Sequence, residues 1–558
     1  MNDVVSSLEK IVKNAFGISA HITISVPVFE FGDCTTNCAM QLSKQLKKSP
    51  REIAEKIVSL LEDEKPSWFA SAKTEGPGFI NIVFKDDFLF SFVDVSGLDD
   101  EKSHEYVLEY SCPNAFKELH AGHLYQTVAG DAIARLLEFV GAKVHRTNFG
   151  GDVGLHVAKA MWGILQTIPE ENYKMLDEIQ EGDRSKFLSK AYVSGAAAYE
   201  NDALAQAAID SLNKRIYELH STNDKDSSFA KIYWTCRQWS YDYFNNFYKY
   251  IGVEPFRFYA ESETAPVGLS IVAKGLSDKI FIESEGAIIY VGENEGLHTR
   301  VFVTKAGLPT YEAKDLGVIS KEFEDYHFTK RILITGRDQS EYMRVVFAAA
   351  EKVMPKTRDK MLHITNGIIK FANGAKMSSR LGNVTTANEV IETIYSVTPK
   401  ESSDEVRKSL ALGAVKYSLL KQRLGGDVAF DIENSVSLMG NSGPYLQYAL
   451  VRAYSILQKA QYDESKSQKI AYLETAERRL IHQLAKFADV CRSAALSYAP
   501  HILCTFLYET ASAFNVFYEH NRVIGVERSD IRLRIVHEYA QILEKGLELL
   551  GIDRIQKM

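Results

Sequence analysis

The sequence predicts a multidomain protein: an α/β core on a parallel sheet, a small α+β module before it, and an all-α helical bundle after it. Three observations lead there. At 558 residues the chain exceeds what one hydrophobic core supports. A strand, a loop, a long helix and a second strand follow one another between residues 105 and 147, the pattern of a βαβ unit. Beyond residue 400 the apolar spacing becomes almost wholly helical. The divisions fall at residues 1–103, 104–399 and 400–558.

In the first module the spacing predicts a helix over 3–15, a strand over 21–29, and helices over 35–47 and 50–63. A strand at Phe79–Phe84 follows the turn residues Gly76-Pro77-Gly78. The core opens with a strand from Glu105 to Ser111, which Pro113 ends. Leu124, Val128, Ile133, Leu137 and Val140 recur at helical spacing, and Gly141 suits the C-terminal cap. Lys143–Thr147 reads as the next parallel strand. Residues 165–250 read as mostly helical, an insertion or a connective helical layer, acidic in places as at Pro169-Glu170-Glu171, with no chemistry assigned to it. Short strands are expected at Ala287–Val291 and Val301–Thr304, and the core resumes at Arg331–Thr335. Helices are expected over 404–422, 444–460, 472–496, 500–520 and 530–549.

Composition excludes several classes. Hydrophobic residues at 46% and charged residues at 25% suit a globular chain rather than a disordered one. No apolar run approaches the roughly 18 residues of a membrane span. The start, Met1-Asn2-Asp3-Val4-Val5, lacks the basic-then-apolar secretory pattern, so a cytoplasmic location is expected. A net charge of −8 argues against nucleic-acid binding by bulk charge, though a local basic surface would suffice for an RNA partner. The six cysteines are dispersed. Cys34 and Cys38 have no second Cys/His pair at zinc-ligand spacing, so helix-packed thiols are expected and no structural zinc or other metal site.

Two motifs carry chemistry. His120-Ala121-Gly122-His123 sits where the first core helix begins. Unpaired N–H groups and the positive end of the helix dipole attract anions there. The glycine admits a nucleotide close to the backbone, and the imidazoles add donors. The alternative is a helix start carrying two polar surface histidines. Some 250 residues later comes Lys376-Met377-Ser378-Ser379-Arg380, followed by Leu381-Gly382-Asn383. A lysine with two hydroxyls in such a loop can close on a triphosphate and meet charge developing on pyrophosphate. Its alternative is a solvated basic loop.

The pair, in this order, resembles the two nucleotide-binding signatures of class I aminoacyl-tRNA synthetases. Further segments narrow the resemblance to the arginyl-tRNA synthetase family. They are Glu109-Tyr110-Ser111-Cys112-Pro113-Asn114, Gly130-Asp131-Ala132-Ile133-Ala134-Arg135, Thr147-Asn148-Phe149-Gly150-Gly151-Asp152, Pro309-Thr310-Tyr311-Glu312-Ala313-Lys314-Asp315 and Asn441-Ser442-Gly443-Pro444-Tyr445-Leu446. Near the N-terminus, Gly32-Asp33 and Gly76-Pro77-Gly78-Phe79-Ile80-Asn81 resemble its additional domain. The resemblance spans nearly the whole chain and is weakest over 165–250.

The resemblance implies a Rossmann-like catalytic core, an N-terminal domain that contacts the tRNA elbow and a helical anticodon-binding domain. It implies ligation of L-arginine to tRNA(Arg) by way of an arginyl adenylate, with ATP and Mg²⁺ as the substrate complex. His120, Gly122, His123, Lys376, Met377, Ser378 and Ser379 would bind ATP, with His120, His123 and Lys376 assisting the chemistry. Glu109, Tyr311 and Asp315 would hold the guanidinium. A planar cation that keeps its charge calls for such carboxylates. Asn114 would hold the α-amino group, with Cys112 and His120 beside it. Cys112 departs from the serine common at that position. The segment Gly336-Arg337-Asp338-Gln339 supplies another amino-group contact, through either Asp338 or Gln339. The chain is expected to act as a monomer and, as the family implies, to need tRNA bound before it activates arginine. Another class I synthetase would not need Glu109, Tyr311 and Asp315 together. A non-catalytic tRNA-binding relative would not need His120, His123 and Lys376, and a plain nucleotidyltransferase would not need the flanking domains.

Overall fold

The structure, a computed structural model, describes residues 1–371, 385–466, 470 and 472–555. The N-terminal module packs helices Asn2–Phe16, Cys38–Leu46 and Pro50–Glu64 on a three-stranded antiparallel sheet. Its central strand is Phe79–Phe84, flanked by Cys34–Thr36 and Phe69–Glu75. Ser49 and Glu52 form a reciprocal capping box, and Pro50 takes the first helical position, so the start of the third helix is fixed locally.

The strand expected over 21–29 does not form. Only Ser25 bridges to Thr35, and Phe29–Phe31 is a single 3₁₀ turn. Pro27 has no N–H to give a ladder. The pairing falls instead to Cys34–Thr36, so the following helix starts at Cys38 rather than 35. Cys34 is therefore a strand residue and not helix-packed as expected, while Cys38 opens the helix. Both thiols are buried. Burial pushes the Cys34 thiol up to about 12, which keeps it protonated.

The core sheet has five parallel strands: Glu105–Glu109, Lys143–Gly150, Arg257–Ala260, Lys330–Gly336 and Met361–Asn366. Numbered in chain order, they lie side by side as fifth, fourth, first, second, third. The order reverses between the first and fourth strands, which makes their carboxyl ends the natural ligand crevice. Helix Ala121–Phe139 leaves this crevice and packs beneath the sheet. A Cβ at Gly130 would stand 2.2 Å from the Tyr110 ring, so the glycine sets how closely helix and strand approach. The expected short strands form at Ala287–Tyr290 and Arg300–Val303, joined by Ile282–Ser284 in a separate antiparallel sheet.

The C-terminal block is helical as expected, with helices Asp404–Leu420, Gly443–Lys459, Pro500–His520 and Ser529–Leu549. The single helix expected over 472–496 is two, Thr475–Leu484 and Phe487–Leu496. The N-terminal module docks onto the first of these. Arg478 reaches both Asp33 and Asp86, the Leu473 N–H donates to Asp86 at 2.9 Å, and Arg479 pairs with Glu30 at 2.9 Å. Phe487 packs edge-on against Phe139 of the core helix, at 5.7 Å between ring centroids. Among the described residues no helix is long and apolar enough to cross a membrane.

Candidate active site

The first core strand ends at Glu109, and the chain then turns sharply. Ser111 and Cys112 adopt left-handed backbone angles, φ 73° and 47°. Two contacts hold this turn. The Ser111 hydroxyl lies 2.8 Å from the Tyr248 hydroxyl, which also accepts from Asn148 Nδ2 at 3.1 Å. The amide of Gln126, oriented to satisfy its neighbours, donates to the Ser111 carbonyl at 3.1 Å and accepts from Gly336 N–H at 3.2 Å. Gln126 thereby ties the ends of the first and fourth strands across the crevice. Asn114 lies further along the same turn. Its Oδ1 fills the space that a Cβ on Gly151 would need, at 2.3 Å.

His120 is the N-cap of helix Ala121–Phe139, and His123 is its third residue. Each Nδ1 accepts the other residue's backbone N–H, at 3.3 and 3.2 Å. An accepting Nδ1 places the ring proton on Nε2. The rings stack at 3.6 Å, and a Cβ at Gly122 would come within 2.8 Å of the His120 ring. The small residue inside the motif is therefore required by the histidine pair itself. Burial, reinforced by the charge of Lys117, lowers the His120 pKa to about 4 and pushes His123 well below its ordinary value. Both imidazoles are neutral near pH 7, each with an Nε2–H available to an anion.

Lys117 was not singled out from sequence, although it lies three residues before His120. It sits over the Tyr192 ring at 5.1 Å and forms no ion pair among the described residues. Burial lowers its pKa. Its charge is felt by His120, His123 and His156. A lysine in this position supplies a cation beside two neutral donors at a helix N-terminus, which suits polyphosphate.

Lys376, Met377, Ser378 and Ser379 lie outside the described residues. Six residues after Ser379, the chain is bonded to the histidine motif. The Ala121 N–H donates to the Thr385 carbonyl at 3.0 Å, and the Ala387 N–H to the Leu119 carbonyl at 2.8 Å. The segment that follows the second signature thus adjoins the first.

The acidic side of the crevice is built from three elements. Glu109 is 2% exposed at the end of its strand. Its Oε2 accepts from Arg331 of the fourth strand, and its Oε1 faces the Cys112 thiol at 3.6 Å. Tyr311 is the first residue of helix Tyr311–Asp325 and is half exposed. Asp315, one turn on, is buried and accepts from the Tyr342 hydroxyl. Burial pushes the Asp315 carboxyl up to about 7, against the pull of Tyr342 and Arg331. Burial likewise raises Glu109, against the attraction of Arg331. Buried carboxylates this costly to ionise suit a site awaiting a cation.

The Tyr311 hydroxyl also lies 3.5 Å from His156 Nδ1, and the His156 ring donates through Nε2 to the Gly151 carbonyl, 3.2 Å away. Glu261, fully paired with Lys314 at 2.6 Å, borders the same space and was not anticipated. Helix Glu261–Ser277, which carries it, contains Pro266, and that hides its helical pattern. Asp338 and Gln339 form an exposed 3₁₀ turn after the fourth strand. Asp338 faces Gly336 and His120, while no contact of the Gln339 side chain marks it out. Contacts thus join Glu109 to Cys112 and Arg331, and Asn114 by way of Gly151 and His156 to Tyr311, while Gln126 of the histidine helix spans Ser111 and Gly336, next to Asp338. Among the described residues no cluster of three or more His, Cys, Asp or Glu is placed to hold a metal ion.

Comparison with known proteins agrees along the whole chain. Residues 92–432 match the family model of the tRNA synthetases class I (R) catalytic domain. Residues 446–558 match the DALR anticodon binding domain, and residues 2–84 the arginyl tRNA synthetase N terminal domain. The chain is 30% identical to the arginine–tRNA ligase of Pectobacterium carotovorum, over 95% of this chain and 94% of that one. It is 29% identical to that of Thermobifida fusca, again over 95% and 94%. Among solved structures, the arginyl-tRNA synthetase of Thermus thermophilus shares its fold, with a TM-score of 0.78 at 22% identity and both chains fully covered. The parallel core sheet with a histidine pair at its switch point, flanked by an N-terminal module and a helical C-terminal block, thus has its counterpart in a known family: the chain belongs to the arginyl-tRNA synthetases, in class I of the aminoacyl-tRNA synthetases.

Proposed function

We propose that the crevice at the ends of the first and fourth strands is where this enzyme activates arginine. The enzyme charges tRNA with arginine in two steps, forming arginyl adenylate from ATP and then transferring the arginyl group to the terminal ribose of tRNA. AMP and pyrophosphate are released. The observation that carries the site assignment is the pairing of opposites across one crevice. Buried carboxylates Glu109 and Asp315 lie on one side, and on the other the neutral His120–His123 pair with Lys117, which has no ion pair among the described residues. The guanidinium of arginine fits the first side and the triphosphate the second.

In this reading Asp315 and Glu109 accept from the guanidinium, and Tyr311 lies along it. Asn114, Cys112 and one of Asp338 or Gln339 hold the amino end. The substrate carboxylate is then placed to attack the ATP α-phosphate in line. The Nε2–H groups of His120 and His123, Gly122 backbone, Lys117, and the Lys376–Ser379 segment stabilise phosphate oxygens as pyrophosphate leaves. Catalysis is mainly positioning and electrostatics. Mg²⁺ arrives with ATP and supplies further charge neutralisation on the phosphates.

The domain divisions are placed near residues 103 and 399, with the outer domains gripping the elbow and anticodon of tRNA(Arg). In this reading the enzyme works as a monomer in the cytoplasm. The test is an aminoacylation assay with each of the twenty amino acids and total tRNA. Arginine alone should be charged. Lysine should be refused, because an ammonium does not fill a site built for a planar cation.

A further inference from the structure

A buried network centred on the fourth core strand takes no direct part in the proposed mechanism. Arg331 on the fourth core strand is 1% exposed. Its Nη2 donates to Glu109 Oε2 and its Nε to Glu322 Oε2, the latter at 2.5 Å. Glu322 is fully buried in helix Tyr311–Asp325, two turns beyond Asp315. Its second oxygen accepts from the Thr147 hydroxyl at 2.7 Å. The remaining Arg331 nitrogen, Nη1, is buried with no hydrogen-bond partner among the described residues. The guanidinium is thus held by its two carboxylates alone.

The geometry has a directional consequence. Glu109 has two oxygens, and Arg331 takes one of them. The other faces Cys112, on the turn that also carries Asn114. Without Arg331 the carboxylate could rotate, and burial would favour its neutral form. With Arg331 it is fixed in orientation, and the guanidinium's charge works against that neutral form. The network also holds more carboxyl groups than cations. Glu109 and Glu322 face the single guanidinium of Arg331, and Asp315 is a third close by, felt at Arg331; burial disfavours ionising Glu109 and Asp315 until another cation arrives. A second guanidinium completes this arrangement, while a neutral side chain does not.

We propose that Arg331 is a positioning residue for amino-acid recognition: an internal guanidinium that orients Glu109 so that its other oxygen, which takes only the weak Cys112 thiol donor here, meets the guanidinium of substrate arginine. This rests on the reading that Glu109 binds arginine. Arg331 itself touches no substrate. Thr147, Glu322 and Arg331 come from the second strand, a helix and the fourth strand, so the network also sets where Glu109 stands relative to the helix that carries Asp315.

The test must separate positioning from mere support of the fold. Arg331→Met alone leaves Glu109 and Glu322 facing each other unpaired, and unfolding would be no surprise. The double variant Arg331→Met/Glu322→Met removes the guanidinium together with one of its two carboxylates, and leaves Glu109 able to take the neutral form that burial favours. In that variant, with a wild-type melting temperature, the arginine KM should rise about 10-fold or more while the ATP KM stays put. Arg331→Lys should give an intermediate arginine KM, since an ammonium keeps the charge but cannot bridge both carboxylates in a fixed fork. A folded double variant with the wild-type arginine KM overturns the inference. Glu109→Gln separates the two levels. If it leaves the arginine KM unchanged, the reading of Glu109 falls and this inference with it. If it raises the KM and the double variant does not, only the role of Arg331 falls.

Discussion

Asp315→Asn is the sharpest probe of amino-acid choice. Asp315 is 9% exposed and one turn inside its helix, and Tyr342 donates to its carboxylate. Asparagine keeps an oxygen that can accept from Tyr342 and removes only the charge. Losing a charge-assisted hydrogen bond in a dry site costs about 1.5–3 kcal/mol, equivalent to a roughly 10- to 150-fold rise in the arginine KM. The fold should not suffer. Burial raises the carboxyl to about 7, so the ionised form is the one that strains the empty protein. The sign follows from linkage. A carboxyl whose folded pKa lies above its unfolded value favours folding at low pH, and that contribution is lost as pH rises through about 7. Arginine needs the ionised form, so its KM should fall as pH rises through the same range. Glu109, Arg331, Glu312 and Glu261 share the surroundings and shape the curve, but Asp315→Asn should flatten the part that belongs to Asp315. The assay is ATP–pyrophosphate exchange with tRNA present, varying arginine and ATP separately between pH 6 and 8, a range of roughly one unit either side of the expected transition. A folded Asp315→Asn enzyme with an unchanged arginine KM would refute the reasoning.

Three further outcomes are expected. Lys376→Ala should slow adenylate formation in single turnover and leave arginine affinity nearly unchanged, because its charge matters most as pyrophosphate departs; a normal chemical step would return Lys376 to a solvated loop. The His120 pKa near 4 means that the histidine pair stays neutral well below pH 6.5, so an acid limb in the chemical step that Gly122→Ala or His120→Asn abolishes would contradict the neutral-donor assignment. Arg478→Ala should leave Asp33 buried without its cation and loosen the N-terminal module, raising its protease sensitivity and weakening tRNA binding while the arginine KM holds; a change in arginine KM alone would reverse that assignment.

The fold was legible wherever sequence neighbours determine it. The βαβ run, the histidine motif at a helix start and the C-terminal helices other than the one expected over 472–496 are local patterns, and they stand where they were expected. The misses have physical causes. Arg257–Ala260 is four residues long with two exposed or half-exposed side chains, too short for alternation to register. Phe69–Glu75 buries only its first residue, so no apolar period marks it. Helix 472–496 reads as continuous because the break at Ala485-Lys486 uses neither glycine nor proline. Of the site, the residue types were legible but their partners were not. Arg331 and Glu109 stand 222 positions apart, and a lone arginine in a strand gives no sign of its acceptor. Lys117 was within reach of sequence reasoning, as a cation one turn ahead of an anion-binding helix start.

The docking of the two outer domains bears on the expected dependence on tRNA. The N-terminal module does not hang from the core by its linker. It is clamped to helix Thr475–Leu484 through Arg478, Arg479 and the Asp86–Leu473 contact. The next helix, Phe487–Leu496, packs through Phe487 on Phe139, in the last turn of the helix that His120 caps. Contacts with the elbow and with the anticodon would therefore load the same C-terminal helices, and those helices abut the far end of the histidine helix. A helix is stiff along its axis, and His120 and His123 cap each other reciprocally at its start. A small displacement at Phe139 would reach the nucleotide donors along the helix itself, but Glu109 only by way of the Gly130–Tyr110 and Gln126–Ser111 contacts, and Asp315 belongs to helix Tyr311–Asp325. On this geometry bound tRNA acts first on the ATP side of the crevice. Exchange assays with and without tRNA should then differ more in the ATP KM and in kcat than in the arginine KM, and the opposite pattern would place the coupling on the carboxylate side.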